Sequence, residues 1–299
     1  MNTKTNKVRQ NLFPVLAALI WGTAFVAQSV ASDFVSPMTF NALRAVIAFF
    51  VLLLISFIAQ KRAPRTEKAG EKRALVLGGI CCGFLLAAAS NLQQLGLGET
   101  APGKAGFITA LYVVLVPVFA IFLKKRASAQ IWLSVAIAVA GLYLLCVKEG
   151  LSIEPSDGYV LLCAIVFAFH ILCIDHFVQK VDGIRLSCAQ FLVVSLLSGA
   201  GMLVFEQPQW SGILSCVPQI LYVGIFSSGV AYTLQILAQK DSDPTVVTIL
   251  LSLESVFSVL AGAVILGDRL SRREYAGCVL MFAAVLLAQV PLTFSRKKK

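Results

Sequence analysis

The chain has 299 residues, 58% of them hydrophobic and only 13% charged, and a net charge of +10. Soluble domains are about a quarter charged and about half apolar or less, so a water-soluble fold is excluded. The basic excess falls in short loops and at the chain ends with no motif that reads DNA or RNA, which points to membrane topology and away from nucleic acid.

Apolar stretches recur at the length that crosses a bilayer, about 20 residues at 1.5 Å rise each. Ten spans are expected, at 11–31, 38–60, 74–95, 101–123, 129–147, 158–178, 187–205, 215–238, 244–266 and 273–292. The first follows MNTKTNKVRQ and carries a weak cleavage-like Ser29-Val30-Ala31, but its length, Trp21 and Gln28 favour a retained helix over a removed signal peptide. Trp21 and Gln28 are seven apart and share a helical face; Trp21 either packs between helices or walls a cavity. Arg44 in span two is expected to snorkel outward or cap carbonyls, a structural role. After the hydrophilic loop 61–73, span three ends in polar Asn91, Gln93 and Gln94. Span four holds Tyr112, a packing or cavity residue, and Pro117, which lacks a backbone N–H and should kink the helix, either at a gate or as a static bend.

Span six carries His170 and Asp175, whose five-residue spacing makes them diverge, with His176 near the span's edge. They read as hydrogen-bonded or interfacial groups, and no metal is expected. In span eight, Ser228, Tyr232, Gln235 and Gln239 follow i, i+4, i+7 and i+11, a polar stripe that lines a cavity or grips a neighbouring helix. Glu254 is the only charge between Val246 and Leu266. Ten residues of helix from Pro244 place it about 15 Å deep in a ~30 Å core. A charge there costs roughly 2.5–3.5 kcal/mol on insertion scales. Beside it run Thr248, Ser252, Ser255, Ser258 and Gly262. Glu254 is therefore either a hydrogen-bonding staple in tight helix packing or a substrate contact and proton site. The eight cysteines lie in or beside apolar runs without CxxC spacing and read as small packing residues. There is no phosphate loop, GxSxG elbow or HExxH, so ATP hydrolysis, a cofactor and enzyme chemistry are not expected.

With the N-terminus in the cytoplasm, nineteen Lys and Arg fall inside and five outside, Arg269, Arg272 and Arg273 forming the dissenting cluster. That asymmetry puts both termini inside. The segment NLQQLGLGETAP, 91–102, aligns without gaps on TLQILAQKDSDP, 233–244, an offset of 142. Five spans per half make the second copy enter upside down, as in transporters built from inverted repeats with a site near the midplane. The expected halves are 1–148 and 149–299.

The blocks WGTAFVAQ (21–28), ETAPGKAGFITALYVVLVPVF (99–119), SSGVAYTLQILAQK (227–240) and SLESVF with GDRLS (252–271) resemble EamA-type members of the drug/metabolite transporter superfamily, over nearly the whole chain. One departure is Leu123-Lys124-Lys125-Arg126, where the second half has the acidic GDRLS pattern. The resemblance implies an all-α integral membrane protein of ten helices in two inverted five-helix repeats. It implies a central alternating-access cavity walled by spans one, three, four, six, eight and nine. Trp21, Gln28, Gln93, Tyr112, His170, Tyr232, Gln235 and Glu254 would be its polar and aromatic members. The expected function is secondary-active export of a small organic metabolite, amino acid or drug across the cytoplasmic membrane, with Glu254 as the proton-coupling candidate. The alternatives are an uncoupled facilitator or exchanger, and an intramembrane enzyme using His170 and Asp175. The aromatics suit an amphipathic solute and a single acid suits an amine-bearing one. The partners are that solute and the lipid bilayer, and an internally repeated chain can work as a monomer or a homodimer.

Overall fold

The computed structural model describes residues 3–62, 69–100, 102–125, 127–146, 154–265 and 270–289, without the side chains of 3–8, 102–104, 146, 262 and 265. Several residues used to orient the chain lie outside that description: the side chains of Lys4, Lys7 and Lys104, the basic loop's middle (63–68), Arg126, Lys148, Arg269 and the basic tail, as does Asp268 of the GDRLS pattern. So does the side chain of Pro102.

All regular structure among the described residues is helical. A helix satisfies its own backbone, which lipid cannot. The helices are α1 (Thr3–Ser32), α2 (Pro37–Arg62), α3 (Glu71–Leu97), α4 (Pro102–Ala110), α5 (Tyr112–Phe122), α6 (Ala129–Cys146), α7 (Pro155–Val178) and α8 (Gly183–Phe205). They continue as α9 (Trp210–Ser215), α10 (Val217–Tyr222), a π-helix (Val223–Ala231), α11 (Tyr232–Gln239), α12 (Pro244–Leu251), α13 (Glu254–Ile265) and α14 (Arg272–Gln289). Among the described residues eight stretches are long and apolar enough to cross a membrane. They fall at the predicted spans one to four and six to nine. The fifth place holds a shorter apolar helix, Ala129–Leu145. The tenth holds α14, which opens on Arg272, Arg273 and Glu274.

Local chemistry sets the helix starts. Asp182 accepts hydrogen bonds from the backbone N–H groups of Ile184 and Arg185 and so caps α8. Asp243 accepts from Thr245 N at 2.8 Å, with Pro244 as the first residue of α12. Glu154 and Asp157 form a reciprocal capping box in front of α7.

Two predicted spans are broken. The span-four helix is interrupted at Leu111, between α4 and α5. The span-nine helix is interrupted at Ser252 and Leu253, between α12 and α13. Leu111 and Leu253 are 142 positions apart, the offset of the sequence match. Pro117 stays inside α5, six residues beyond the break.

The outward surface is apolar, with Phe122 81%, Leu203 77% and Phe50 61% exposed, while Gln, His, Arg and Glu side chains are buried in the bundle. This inside-out distribution fits a lipid surround. The helices pair closely: α2 with α8, α3 with α7 and α8, α1 with α13 and α11, α5 with α7, and α6 with α14. Small residues permit this. A Cβ on Gly277 would lie 2.8 Å from the carbonyl oxygen of Gly141, and one on Gly141 would lie 3.1 Å from that of Gly277. At this α6–α14 crossing the backbones touch, which any larger side chain prevents.

Candidate functional site

The breaks and crossings leave a cavity among the helices. On α1, Trp21, Phe25 and Gln28 share one face and line it. Trp21 donates from Nε1 to the Ser227 carbonyl at 3.2 Å and meets the ring of Tyr232 edge-on at 4.8 Å. Gln93 enters from α3, Thr109 from α4 and Tyr112 from α5. Phe167, His170 and Ile171 enter from α7. Ser227 comes from the π-helix, Tyr232 and Gln235 from α11, Leu251 from α12 and Glu254 from α13.

All eight residues singled out from the sequence thus border one cavity. Two of them bond directly: the Tyr112 hydroxyl donates to Glu254 Oε1 at 2.9 Å. Each is the first residue after its helix break. The break turns both side chains to the same point, although 142 residues separate them. Tyr232 is central to the aromatic wall, with the Phe191 ring at 5.5 Å and His170 at 6.2 Å besides Trp21.

Several expectations need correction. Arg44 neither snorkels nor caps carbonyls: it is 6% exposed, lines the cavity and donates from Nη1 to Gln28 Oε1 at 3.1 Å. Span two therefore joins the wall, because α2 packs against the π-helix of span eight. The polar stripe of span eight is only half in the cavity. Tyr232 and Gln235 line it, while Gln239 turns to the Ile171 carbonyl at 2.9 Å. Ser228 is buried elsewhere, with its hydroxyl unpartnered. The π-helix is the reason. Its i→i+5 winding is wider than that of an α-helix, so Ser227, five residues before Tyr232, shares its face. On α3 only Gln93 lines the cavity. Asn91 accepts from Asn41 and donates to Ser198, both at 3.0 Å, and Gln94 donates to the Gln28 carbonyl.

His170 and Asp175 do not meet. His170 Nε2 bonds Gln190 Oε1 at 3.1 Å, whereas Asp175 pairs with Lys125 at the end of the span-four helix. His176 bonds Lys180 at 2.7 Å. Among the described residues no group of three His, Cys, Asp or Glu could hold a metal ion.

The sequence reading missed Phe25, Arg44, Thr109, Phe167, Ile171, Ser227 and Leu251 as lining residues. Four of them form two pairs at the 142-residue offset, but the sequence singles out neither member of either pair, so the offset alone would not find them. Adding 142 carries Phe25 to Phe167 and Thr109 to Leu251, as it carries Gln28 to His170, Gln93 to Gln235 and Tyr112 to Glu254. Ten cavity residues thus form five pairs with one spacing.

A multi-helix membrane bundle around a cavity with polar and aromatic walls defines the class, and comparison with known proteins supplies the family. The EamA-like transporter family matches residues 9–147 and again residues 155–289. The chain belongs to this family and is a multi-pass membrane protein. It is 30% identical to an uncharacterized transporter of Archaeoglobus fulgidus over 92% of this chain and 84% of that one. It is 24% identical to the uncharacterized inner membrane transporter YedA of Escherichia coli, over 96% and 93% of the two chains. A solved crystal structure has the same fold, with a TM-score of 0.78 at 20% identity over 94% of this chain and 96% of that one.

Proposed function

We propose that the chain is a secondary-active exporter of a small organic solute, working by alternating access through the Tyr112–Glu254 cavity. The observation that carries this reading is the cavity itself, walled by five pairs of residues at one 142-residue spacing. A site shared equally by two halves is what two inverted repeats would build between them. The proposed repeats are 1–148 and 149–299, with ten spans and both termini in the cytoplasm. The helix pairings support them: advancing every span by five turns the α3–α7 contact into α11–α1, and α5–α7 into α13–α1. The basic bias of the inner loops supports the orientation. The inner-membrane description of YedA supports the cytoplasmic membrane as the location.

Trp21, Gln28, Gln93, Tyr112, His170, Tyr232, Gln235 and Glu254 are the proposed solute contacts, with Glu254 as the proton-coupling group and Pro117 as a kink in α5 at the gate. A carboxylate this deep in the bundle, 5% exposed, is costly to keep, and such intramembrane ionisable groups mark transport pathways. Protonation would change how well each cavity orientation is tolerated, which is how one group couples two equilibria.

The test loads vesicles carrying the purified protein with a pool of amino acids, amines, nucleosides and common drugs. Loss of each compound is followed with and without a pH gradient, in wild type and Glu254→Gln. One solute class should leave faster than from protein-free vesicles, with a gradient dependence that the Gln variant lacks. If no solute leaves faster, the transport reading is wrong. If the Gln variant keeps the gradient response, Glu254 is not the coupling group.

A further inference from the structure

Cys82 of α3 and Cys173 of α7 lie side by side, apart from the residues that line the cavity, with the Cys82 thiol donating to the Cys173 sulfur at 3.4 Å. They are 91 positions apart and belong to different proposed repeats, so no sequence spacing marks them as a pair. Both thiols are free. Cys188 and Cys216 instead reach the backbone carbonyls of Phe49 and Gly212, at 3.9 and 3.3 Å. Helix pairing brings the two sulfurs together. A Cβ on Gly78 would lie 2.9 Å from Phe177 Cγ, and one on Gly96 would overlap Val160 Cγ2. One antiparallel register therefore sets Phe177, Cys173 and Val160 of α7 against Gly78, Cys82 and Gly96 of α3.

The two helices are also two walls of the cavity, α3 through Gln93 and α7 through Phe167, His170 and Ile171. Cys173 follows His170 by three residues, about one helical turn, toward the end of α7 where Asp175 pairs with Lys125. The sulfurs thus sit between the cavity and the proposed cytoplasmic face. Cys82 is fully buried, in a cluster with Ile174, Val178, Leu186 and Ile236, whereas Cys173 is half-buried and so the more accessible of the two. A disulfide bond is about 2.05 Å long, so sulfurs at 3.4 Å need to close by only about 1.4 Å, which side-chain rotation can supply.

We infer that Cys82 and Cys173 form a redox latch, a pair that a hydroperoxide joins into a disulfide tying span three to span six. The Cys173 sulfur attacks one peroxide oxygen and the O–O bond breaks. The leaving hydroxide takes the Cys173 proton and departs as water, and Cys173 is left as a sulfenic acid. The Cys82 sulfur then attacks the Cys173 sulfur and the S–O bond breaks. The second hydroxide takes the Cys82 proton and also departs as water. Two thiols are oxidised to one disulfide, one peroxide is reduced to two waters, and a dithiol reverses the change. The bond fixes the distance between two cavity walls, which alternating access must vary. That effect on efflux rests on the transport reading of the cavity, whereas formation of the bond does not.

The test treats the purified full-length protein in vesicles with hydrogen peroxide and then with dithiothreitol. The intact mass should fall by two hydrogens, and proteolysis should yield one peptide pair joined through Cys82 and Cys173. Dithiothreitol should undo both. Cys81→Ser should cross-link like wild type, because Cys81 is exposed on the outer face of α3, while Cys82→Ala and Cys173→Ala should not. Efflux of the pooled amino acids, amines, nucleosides and drugs should fall in step with the cross-linked fraction, recover with dithiothreitol, and ignore peroxide in both Ala variants. Folded wild-type protein that stays unbridged, or that bridges a different pair of cysteines, overturns the inference. So does protein that is bridged yet exports as fast as when reduced. If the reduced protein moves no solute, the transport reading fails, while the peptide pair still decides whether the bond forms.

Discussion

Gly22 lies where α1 crosses the start of α13, one residue from Trp21 and against the backbone of Glu254. A Cβ added there would lie 2.6 Å from the Glu254 carbonyl oxygen, 2.6 Å from Phe257 Cβ and 2.8 Å from Ser258 N. Two of these atoms belong to the α13 backbone and cannot rotate aside. Ordinary contact begins at 3.4 Å, so Gly22→Ala must push α1 and α13 apart by roughly 0.8 Å, an overpacking that costs about 1–3 kcal/mol. At about 2–4 °C per kcal/mol for large domains, the melting midpoint should fall by several degrees. The same shift separates Trp21 from Glu254, so solute affinity should fall with it. Gly199→Ala is the control: a Cβ on Gly199 meets nothing within 4 Å, and Ala is the better helix former by about 1 kcal/mol. The assay is thermal unfolding of both variants in detergent, with and without solute. If Gly22→Ala melts and binds like wild type while Gly199→Ala behaves as expected, the close α1–α13 contact does not hold the cavity.

Other outcomes follow from single contacts. Tyr112→Phe keeps the ring but removes the donor to Glu254, a charged hydrogen bond worth about 1.5–3 kcal/mol. Solute affinity or the gradient response should change about tenfold or more, and vesicle efflux that matches wild type would show that the bond carries no weight. Ser228→Ala removes a buried hydroxyl that has no partner, so the melting midpoint should hold or rise; a fall would mean that Ser228 bonds something at work in the membrane. Lys125→Ala breaks the ion pair that ties the end of the span-four helix to α7. An exposed pair contributes at most about 1 kcal/mol, so stability should barely move. Because the pair joins two walls of the cavity on the proposed cytoplasmic side, labelling of an introduced cavity cysteine from that side should speed up, and an unchanged rate would exclude a gating role. Asp182→Ala removes the cap of α8 and should cost about 0.5–2 kcal/mol in thermal unfolding, with efflux per folded molecule unchanged.

The positions of the long helices were legible in the sequence, because lipid admits only backbones that bond internally and tolerates few charges along them. For the same reason the polar residues within the spans announced themselves. Trp21, Gln28, His170 and Glu254 needed protein or a solute to face, and Leu92-Gln93 against Leu234-Gln235 betrayed the 142-residue spacing. Hydropathy cannot say which neighbour a polar residue meets. Arg44 could have reached outward from α2, and only the packing of α2 against span eight turned it to Gln28. Nor does a helical wheel foresee a π-helix, which exchanged Ser228 for Ser227 at the wall. The breaks at Leu111 and Leu253 carry no Gly or Pro to mark them, and Pro117 drew attention six residues too far along. Chain composition and spacing alone therefore determined that this protein crosses the membrane many times, that one segment recurs 142 residues on, and that polar groups sit within the spans. Tertiary structure alone decided that Tyr112 and Glu254 bond to each other and that Arg44 shares their cavity, because those meetings depend on how helices far apart in sequence cross and bend.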